Sequence, residues 1–462
     1  MKRNGRAAMM ALAPLMLAGA AQAQTGQPST GSADDAPTAV QELVVTGPVT
    51  FRNRTEETAP TLSYDLEYFQ RFEPLTVGDA LKRVPSVAFL SDVLESDGVR
   101  IGGLDPGYTQ ILINGERVPG AGVDRSFFVD RIPAELIERV EVVRSSSANR
   151  SGDAVAGAIN IVLRDALSLD GGYVRTGALY FSDGRIRETI GGVYGGALGP
   201  GRVLLGVNVQ GRRNPKDKLS LRFDEPGGVL ENIEIQSDLR NGTDYSFNAS
   251  YAQEYEGGEL ELTGFFVRTD RREDEDSIEY RGGRVGLSDL LTFNDNNVDI
   301  ITDNWSLKGE IEQEMWGGES ELTLAYARLS DEQTEIEEEF EYLRDTPPFP
   351  DDDRFTGDLS FLGIEDSELQ VRVSHERELT LGELEFGVDW TDKDRETSIL
   401  TDRNRITIPN PPAARPVLPG AYGPFLPVAG GVNTIEERRI DPYVMLSGEA
   451  GAADWEGGVR YE

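Results

Sequence analysis

The 462-residue chain has no cysteine, one histidine, and far fewer cations than anions. Without cysteine there is no disulfide, no thiolate nucleophile and no zinc–thiolate centre. With His375 alone, a His-x-x-x-His zinc motif and haem capture by two histidines are both impossible. Lys and Arg number 45 against 81 Asp and Glu, for a formal net charge of −36. Phosphate binding needs clustered cations, so nucleic acid is excluded as a partner. Beyond the N-terminus no run of about 18 apolar residues occurs, so no transmembrane helix is expected. The chain also lacks a Gly-x-Ser-x-Gly elbow and a phosphate-binding P-loop. No catalytic signature is left, and the reading is a non-enzyme with no cofactor and no metal. The acidic Asp351–Asp353 run offers hard oxygen donors for calcium, but solvated loop charge is the simpler account of it. His375, in "VRVSHERE", reads as a lumen or rim residue of an amphipathic strand.

What the chain does have begins with its address. Lys2, Arg3 and Arg6 precede an apolar run from Ala7 to Ala18, and Ala21-Gln22-Ala23 is a small-x-small cleavage pattern. Residues 1–23 therefore read as a secretory signal peptide, too short in its apolar part to serve as an anchor. Residues 24–50 have the composition of a flexible leader. Within it "VQELVVTG" (40–47) is a lone strand-forming segment.

Residues 51–166 read as a compact mixed α/β domain. Thr76, followed three residues later by Asp79, is positioned to cap a helix that carries Val77, Ala80, Leu81 and Val84 on one face and stops at Pro85. "GVRIGG" (98–103) is a short strand. "YTQILINGERV" (108–118) is a hairpin around Asn114-Gly115. "RIPAELIERVEVVR" (131–144) starts helical at Pro133 and becomes a strand through Val140, Val142 and Val143, and "AINIVLR" (158–164) is a last strand.

From residue 167 to 462, segments of about ten residues alternate apolar and polar. "GELEFGVDW" sets Leu384, Phe386, Val388 and Trp390 against Glu383, Glu385, Gly387 and Asp389, and "DYSFNASY" sets Tyr245, Phe247, Ala249 and Tyr251 against Ser246, Asn248 and Ser250. Tight connections such as 257–259 alternate with long ones, among them the acidic 331–353 and the Pro/Gly-rich 409–430. This is the dyad pattern of a transmembrane β-barrel, apolar toward lipid and polar toward the lumen. A soluble β-sandwich or propeller is the alternative that the export signal and the long amphipathic strands weigh against.

These features together resemble the N-terminal two-thirds of TonB-dependent outer-membrane receptors, in the order signal peptide, box, plug, barrel. The resemblance is specific across residues 42–165, in "ELVVTG" (42–47), "VGDALKRVPSV" (77–87), "VRIGG" (99–103), "ILINGERV" (111–118), "IPAELIERVEVVRS" (132–145) and "GDAVAGAINIVLR" (152–164). It is architectural beyond. One departure stands out: the family's Arg-Gly-Pro and Tyr-Gly turn is replaced by Arg144-Ser145-Ser146 and Asn149-Arg150-Ser151-Gly152.

The resemblance implies an α+β plug domain (51–166) followed by an all-β antiparallel barrel (167–462) in the bacterial outer membrane. Glu42, Leu43, Val44, Val45 and Thr46 would be the TonB box, a strand that adds to a sheet edge of the periplasmic TonB domain, which an inner-membrane complex energises. Arg100 and Arg144 match positions that lock the plug to barrel glutamates. Leu104, Asp105, Tyr108, Arg117 and Arg125 lie where the plug apex meets a small-molecule ligand, by default an iron–siderophore complex. Near them Phe127 and Phe128 are expected to pack. A plugged porin for a saccharide or another nutrient, and a surface-exposed binding or adhesion barrel, remain as other readings. Family barrels have about 22 strands. The 296 residues from 167 onward hold about 12 to 15 at barrel strand lengths, so the expectation is a chain that stops before its barrel closes.

Overall fold

The computed structural model describes residues 61–342, 353–408 and 426–462, apart from 66–67, 70, 73, 75, 90–97, 119–128, 130–131, 133, 145–146, 154, 168 and 452. The leader and its 42–47 segment lie outside the described residues.

The N-terminal part comprises β1 (Thr61–Asp65), α1 (Val77–Leu81), β2 (Val87–Phe89), β3 (Val99–Ile101), β4 (Thr109–Ile113), β5 (Glu116–Arg117), β6 (Ile137–Val143) and β7 (Gly157–Leu163). Thr76 caps α1 as its sequence predicts, its Oγ1 accepting from the Asp79 N–H at 3.2 Å. The apolar face of α1 drives it into the core with Ile132, Val140, Val142, Ile159 and Ile161. Five strands pair in the order β1-β6-β7-β4-β5, and β2 pairs with β3. Asn114 (φ 51°) and Gly115 (φ 82°) make the β4–β5 turn. Both have left-handed backbone, which is why an Asn-Gly pair stands there. The helix expected after Pro133 is only a single 3-10 turn, Ala134–Leu136, before β6 begins. Ile137, Val140, Val142 and Val143 register against β7, the last three also against β1, and take the chain into the sheet.

The second part is one antiparallel meander: β8 (Gly171–Tyr180), β9 (Ile186–Leu198), β10 (Gly201–Phe223), β11 (Leu230–Tyr255), β12 (Gly258–Arg281), β13 (Leu290–Met315), β14 (Gly318–Glu341), β15 (Asp353–Leu379), β16 (Gly382–Ile408), β17 (Leu426–Ala450) and β18 (Ala453–Arg460). These eleven strands form a single sheet whose edges are β8 and β18. Eleven is fewer than the 12 to 15 anticipated because the central strands run 23–27 residues, not about ten.

The faces alternate as the sequence foretells. On β11 Tyr245 and Phe247 are 43% and 44% exposed, while Ser246, Asn248 and Ser250 between them are 6%, 3% and 4% exposed. The outward apolar residues of β14 (Leu322, Leu324) and β16 (Phe386, Val388) continue that belt. The belt is continuous in the halves of the strands nearest the two-residue turns at 199–200, 256–257, 316–317 and 380–381, and outward apolar residues such as Leu219, Ile235 and Ile336 are interspersed with polar ones in the distal halves. A height of about 25 Å of apolar surface suffices for an outer membrane, whereas 26 residues of strand extend about 86 Å. The distal halves are therefore extra sheet. The acidic stretch 331–341, read from sequence as a loop, is the end of β14. Its alternation persists, and Asn294 and Asn296 donate to Glu337 and Glu335, both at 2.9 Å. A cross-strand apolar row on the outer face knits the distal sheet together: Leu219, Ile235, Ile278, Phe293, Phe340, Phe355 and Ile406 are successive register partners.

Candidate functional site

The N-terminal domain meets the polar inner face of the large sheet, and the two sides of that meeting differ. Toward β15–β18 the contact is ionic. Glu116, on β5, faces Arg372 at 3.9 Å, and Arg372 holds Asp389 at 2.7 Å. Asp389 is 2.7 Å from Arg460, which is 2.9 Å from Asp441. Asp441 is 2.7 Å from Arg439, Arg439 is 2.8 Å from Asp153, and Asp153 is 2.7 Å from Arg117. Arg117 is covalently next to Glu116, so eight charges of alternating sign close into a ring. Four adjacent strands supply Arg372, Asp389, Arg439, Asp441 and Arg460, and the N-terminal domain supplies the other three.

The loop before β7 adds hydrogen bonds from uncharged donors to carboxylates on the same side. Ser147 donates to Glu456 Oε1 at 2.6 Å, Asn149 donates to Glu385 Oε2 at 3.0 Å, and the Gly152 N–H donates to Glu462 Oε1 at 2.7 Å. Burial pushes the Glu116 carboxyl above its usual range despite the nearby Arg372 and Lys308. Burial acts the same way on Asp153, but the Arg117 and Arg439 guanidiniums outweigh it and hold that carboxyl below its usual range.

Toward β10–β13 the contact is mostly apolar. Phe265 and Val267 of β12 belong to the same buried cluster as Leu136, Ile113 and Leu163. Gly206 of β10 lies against Leu136, since a Cβ there would sit 3.3 Å from Leu136 Cδ2. The Lys308 ammonium donates to the Asn114 carbonyl at 3.3 Å. A cavity of about 30 Å³, room for a water or two, lies beside the β4–β5 turn and is lined from β11 to β15 and by Glu116 and Arg117. On the ionic side a cavity of about 300 Å³ separates domain and wall, lined by Glu116, Arg117, Arg144, Asn149, Arg372 and Asp389 among others.

The residues chosen from sequence fall in several places. The bonds of Arg100 and Arg144 among the described residues stay inside the N-terminal domain: Arg100 reaches Asp105 at 3.5 Å, and Arg144 donates to Ser86 Oγ at 2.7 Å and the Pro85 carbonyl at 3.3 Å. Leu104, Asp105 and Tyr108 are exposed together around a 3-10 turn. Arg117 belongs to the ion-pair ring and also donates to Ser151 Oγ. Arg125, Phe127, Phe128, Asp351 and Asp352 lie outside the described residues, and Asp353 opens β15. His375 is a rim residue four positions from the end of β15, bonded to Ser320 Oγ at 2.8 Å and flanked by the Trp316 and Phe386 rings. Sequence reasoning missed Glu116, Ser147, Asn149 and Asp153 as wall contacts. A signal for two of them was present, because Ser147 and Asn149 sit in the stretch that departs from the family turn, whereas Glu116 and Asp153 sit in segments that keep the family pattern.

A fold of this form, a small mixed sheet against the polar face of a long-stranded meander, can be compared with known proteins. Residues 54–158 match the family model "TonB-dependent Receptor Plug Domain". This segment is a TonB-dependent receptor plug domain. The long amphipathic strands of the meander follow this plug domain in the chain. Among the described residues no helix is long and apolar enough to cross a membrane.

Solved structures with a similar fold include the ferric citrate transporter FecA in unliganded form (12% identity, TM-score 0.43, covering 86% of this chain and 61% of that one). The ferric yersiniabactin uptake receptor FyuA from Yersinia pestis is 10% identical with TM-score 0.43, covering 87% of this chain and 64% of its own. The siderophore receptor PiuA from Acinetobacter baumannii is 11% identical with TM-score 0.39, covering 84% and 62%. The chain thus spans under two thirds of the length of each of these three.

Proposed function

We propose that this receptor imports a scarce solute in an energy-coupled manner, with the TonB domain recruited by Glu42–Thr46. The observation that supports this most is the way the plug is held. One wall grips it through ion pairs and hydrogen bonds around a polar cavity, an arrangement that water can replace group by group. A permanently fixed stopper has no need of a replaceable contact. The sequence resemblance makes an iron–siderophore complex the first cargo to test. The exposed Leu104, Asp105 and Tyr108, with Arg125, are the plug residues assigned to meet it, and Arg100 and Arg144 remain candidates for locking once the plug shifts.

The test is uptake of radiolabelled iron from a panel of ferric siderophores by a strain lacking the receptor, complemented with the parent or with Val45→Pro. Proline removes a backbone donor from the pairing strand. The expected result is energised uptake by the parent, and binding without uptake by the variant. Uptake that persists in the proline variant would exclude the box. Failure of every ferric siderophore would exclude that cargo class.

A further inference from the structure

The apolar belt on the outer face of the large sheet is interrupted by one charge, and we infer that this residue, Arg377, holds the phosphate of an anionic phospholipid in the periplasmic leaflet, with Trp316 beside it at headgroup level. The inference rests on reading the meander as a lipid-facing barrel. It is independent of the cargo and of the energising partner.

On β11–β16 the outward positions from the turns to Tyr245, Phe266, Trp305, Tyr326, Leu369 and Trp390 hold, among the described residues, a single charged side chain, that of Arg377. The chain has 81 acidic residues against 45 basic ones, yet this cation stands alone. Its sequence neighbours Glu376 and Glu378 project to the opposite face by strand alternation. Among the described residues the Arg377 guanidinium makes no ion pair and no hydrogen bond. The outward arginines farther along the sheet differ. Arg268 pairs with Asp303 at 3.2 Å, Arg328 with Glu365 at 2.9 Å and Arg438 with Asp392 at 3.1 Å.

The depth of Arg377 fits an interface. From Leu369 to Arg377 a strand advances about 27 Å, which at a tilt of about 40° is about 20 Å of depth, close to the height of the apolar band of an outer-membrane barrel. The side chain then reaches farther toward the turn. A Cβ placed on Gly317 would sit 3.9 Å from Arg377 Cζ, so the guanidinium lies over the Trp316–Gly317 turn. Short turns of such barrels face the periplasm, and an arginine at that boundary meets lipid headgroups.

The surroundings suit a lipid better than a free ion. Trp316 is 78% exposed, and an indole of this kind settles at headgroup level. It is braced from behind, because its ring packs against His375 at 5.9 Å between centroids and His375 Nδ1 bonds Ser320 Oγ at 2.8 Å. Toward the middle of the belt, Val373 and Phe386 are exposed on the same face and offer apolar surface to acyl chains. The guanidinium supplies a planar fork of N–H donors that matches a phosphate bidentately.

The test compares the full chain with Arg377→Gln in detergent, counting bound lipid by native mass spectrometry during titration with dioleoyl phosphatidylglycerol or dioleoyl phosphatidylcholine. The parent should hold one phosphatidylglycerol about tenfold more tightly than Arg377→Gln, as expected for losing one charged hydrogen-bond partner. Phosphatidylcholine, whose phosphate already has its own ammonium, should bind parent and variant alike, and that retained binding shows the variant to be folded. Arg328→Gln, on the same face but paired in the parent, should hold phosphatidylglycerol as the parent does. An excess of inorganic phosphate should not displace the lipid. Equal phosphatidylglycerol binding by the parent and Arg377→Gln, or an equal loss in Arg328→Gln, would overturn the site. Displacement by inorganic phosphate would make it a free-anion site and overturn the lipid assignment. A parent that holds neither lipid would overturn the lipid-facing reading of the sheet as well. None of these outcomes bears on import, which the uptake assay tests separately.

Discussion

Arg439 of the barrel wall lies 2.8 Å from Asp153 of the plug. The pair spans 286 positions of sequence and joins two parts of the chain that share no strand pairing. It also marks where the ring of alternating charge crosses from wall to plug through a carboxylate that two guanidiniums share.

Acid should loosen this crossing. Asp153 has its pKa lowered in the folded protein, so it binds a proton less readily there than in the unfolded chain. Its contribution is complete above the ordinary carboxylate value of 3.8 and is lost as pH falls through the lowered folded value. Proteolysis of the plug in detergent-solubilised protein should therefore accelerate below about pH 3.8 in the parent, and this acid step should vanish in Asp153→Asn. An acid step of equal size in that variant would assign the effect to another group.

Two ring members should respond oppositely to losing their charge. Glu116 is held above its usual pKa by burial, so it meets a cost in being ionised and opposes folding more as pH rises through its raised value. Glu116→Gln should leave stability unchanged or raise it. Asp389 is shared by Arg372 and Arg460, both at 2.7 Å. Asp389→Ala takes one partner from each of two guanidiniums in a largely covered site, leaving Arg372 with Glu116 and Arg460 with Asp441, and should cost about 1.5–3 kcal/mol. Urea melts of both variants in the same detergent would decide, and equal losses would contradict the ring as described.

The strands exceed the membrane, and an arginine scan should show where it stops. Phe247 sits in the apolar belt, and Leu219 projects from the same outer face in the distal half of β10. Phe247→Arg should cost about 2–4 kcal/mol of folding into lipid vesicles, the cost falling to about 0–1 for residues outside the hydrocarbon. Leu219→Arg should therefore be nearly neutral. Comparable costs at both positions would place the distal sheet in lipid.

Much of this architecture was legible because it follows local rules. Thr76 before Val77, Asn114 before Gly115, and the alternation Tyr245, Ser246, Phe247, Asn248 each specify structure within a few residues. Strand length was not legible. Where the outward residues cease to be apolar, as in Glu332, Thr334 and Glu338 of β14, the sequence reads as loop. Register with Gly363, Phe361 and Gly357 on one side and Ile301, Asp299 and Asp295 on the other keeps the stretch as strand. The ionic ring was equally invisible, since Asp153 and Arg439 find each other only after a plug and four strands are in place. Reading Arg100 and Arg144 as locks rested on family position, whereas Ser147 and Asn149 reach the wall from the loop where this chain leaves the family pattern, and Glu116 and Asp153 reach it from segments that keep that pattern.

The most direct test of the account is a charge swap at Asp153 and Arg439, read as the rate of plug proteolysis in detergent-solubilised protein. Asp153→Arg and Arg439→Asp should each speed it, because each sets like charges face to face where plug and wall meet. The double variant should return to the parent's rate. Single variants as resistant as the parent, or a double variant as susceptible as the singles, would contradict a plug held to its barrel by this ion-pair ring.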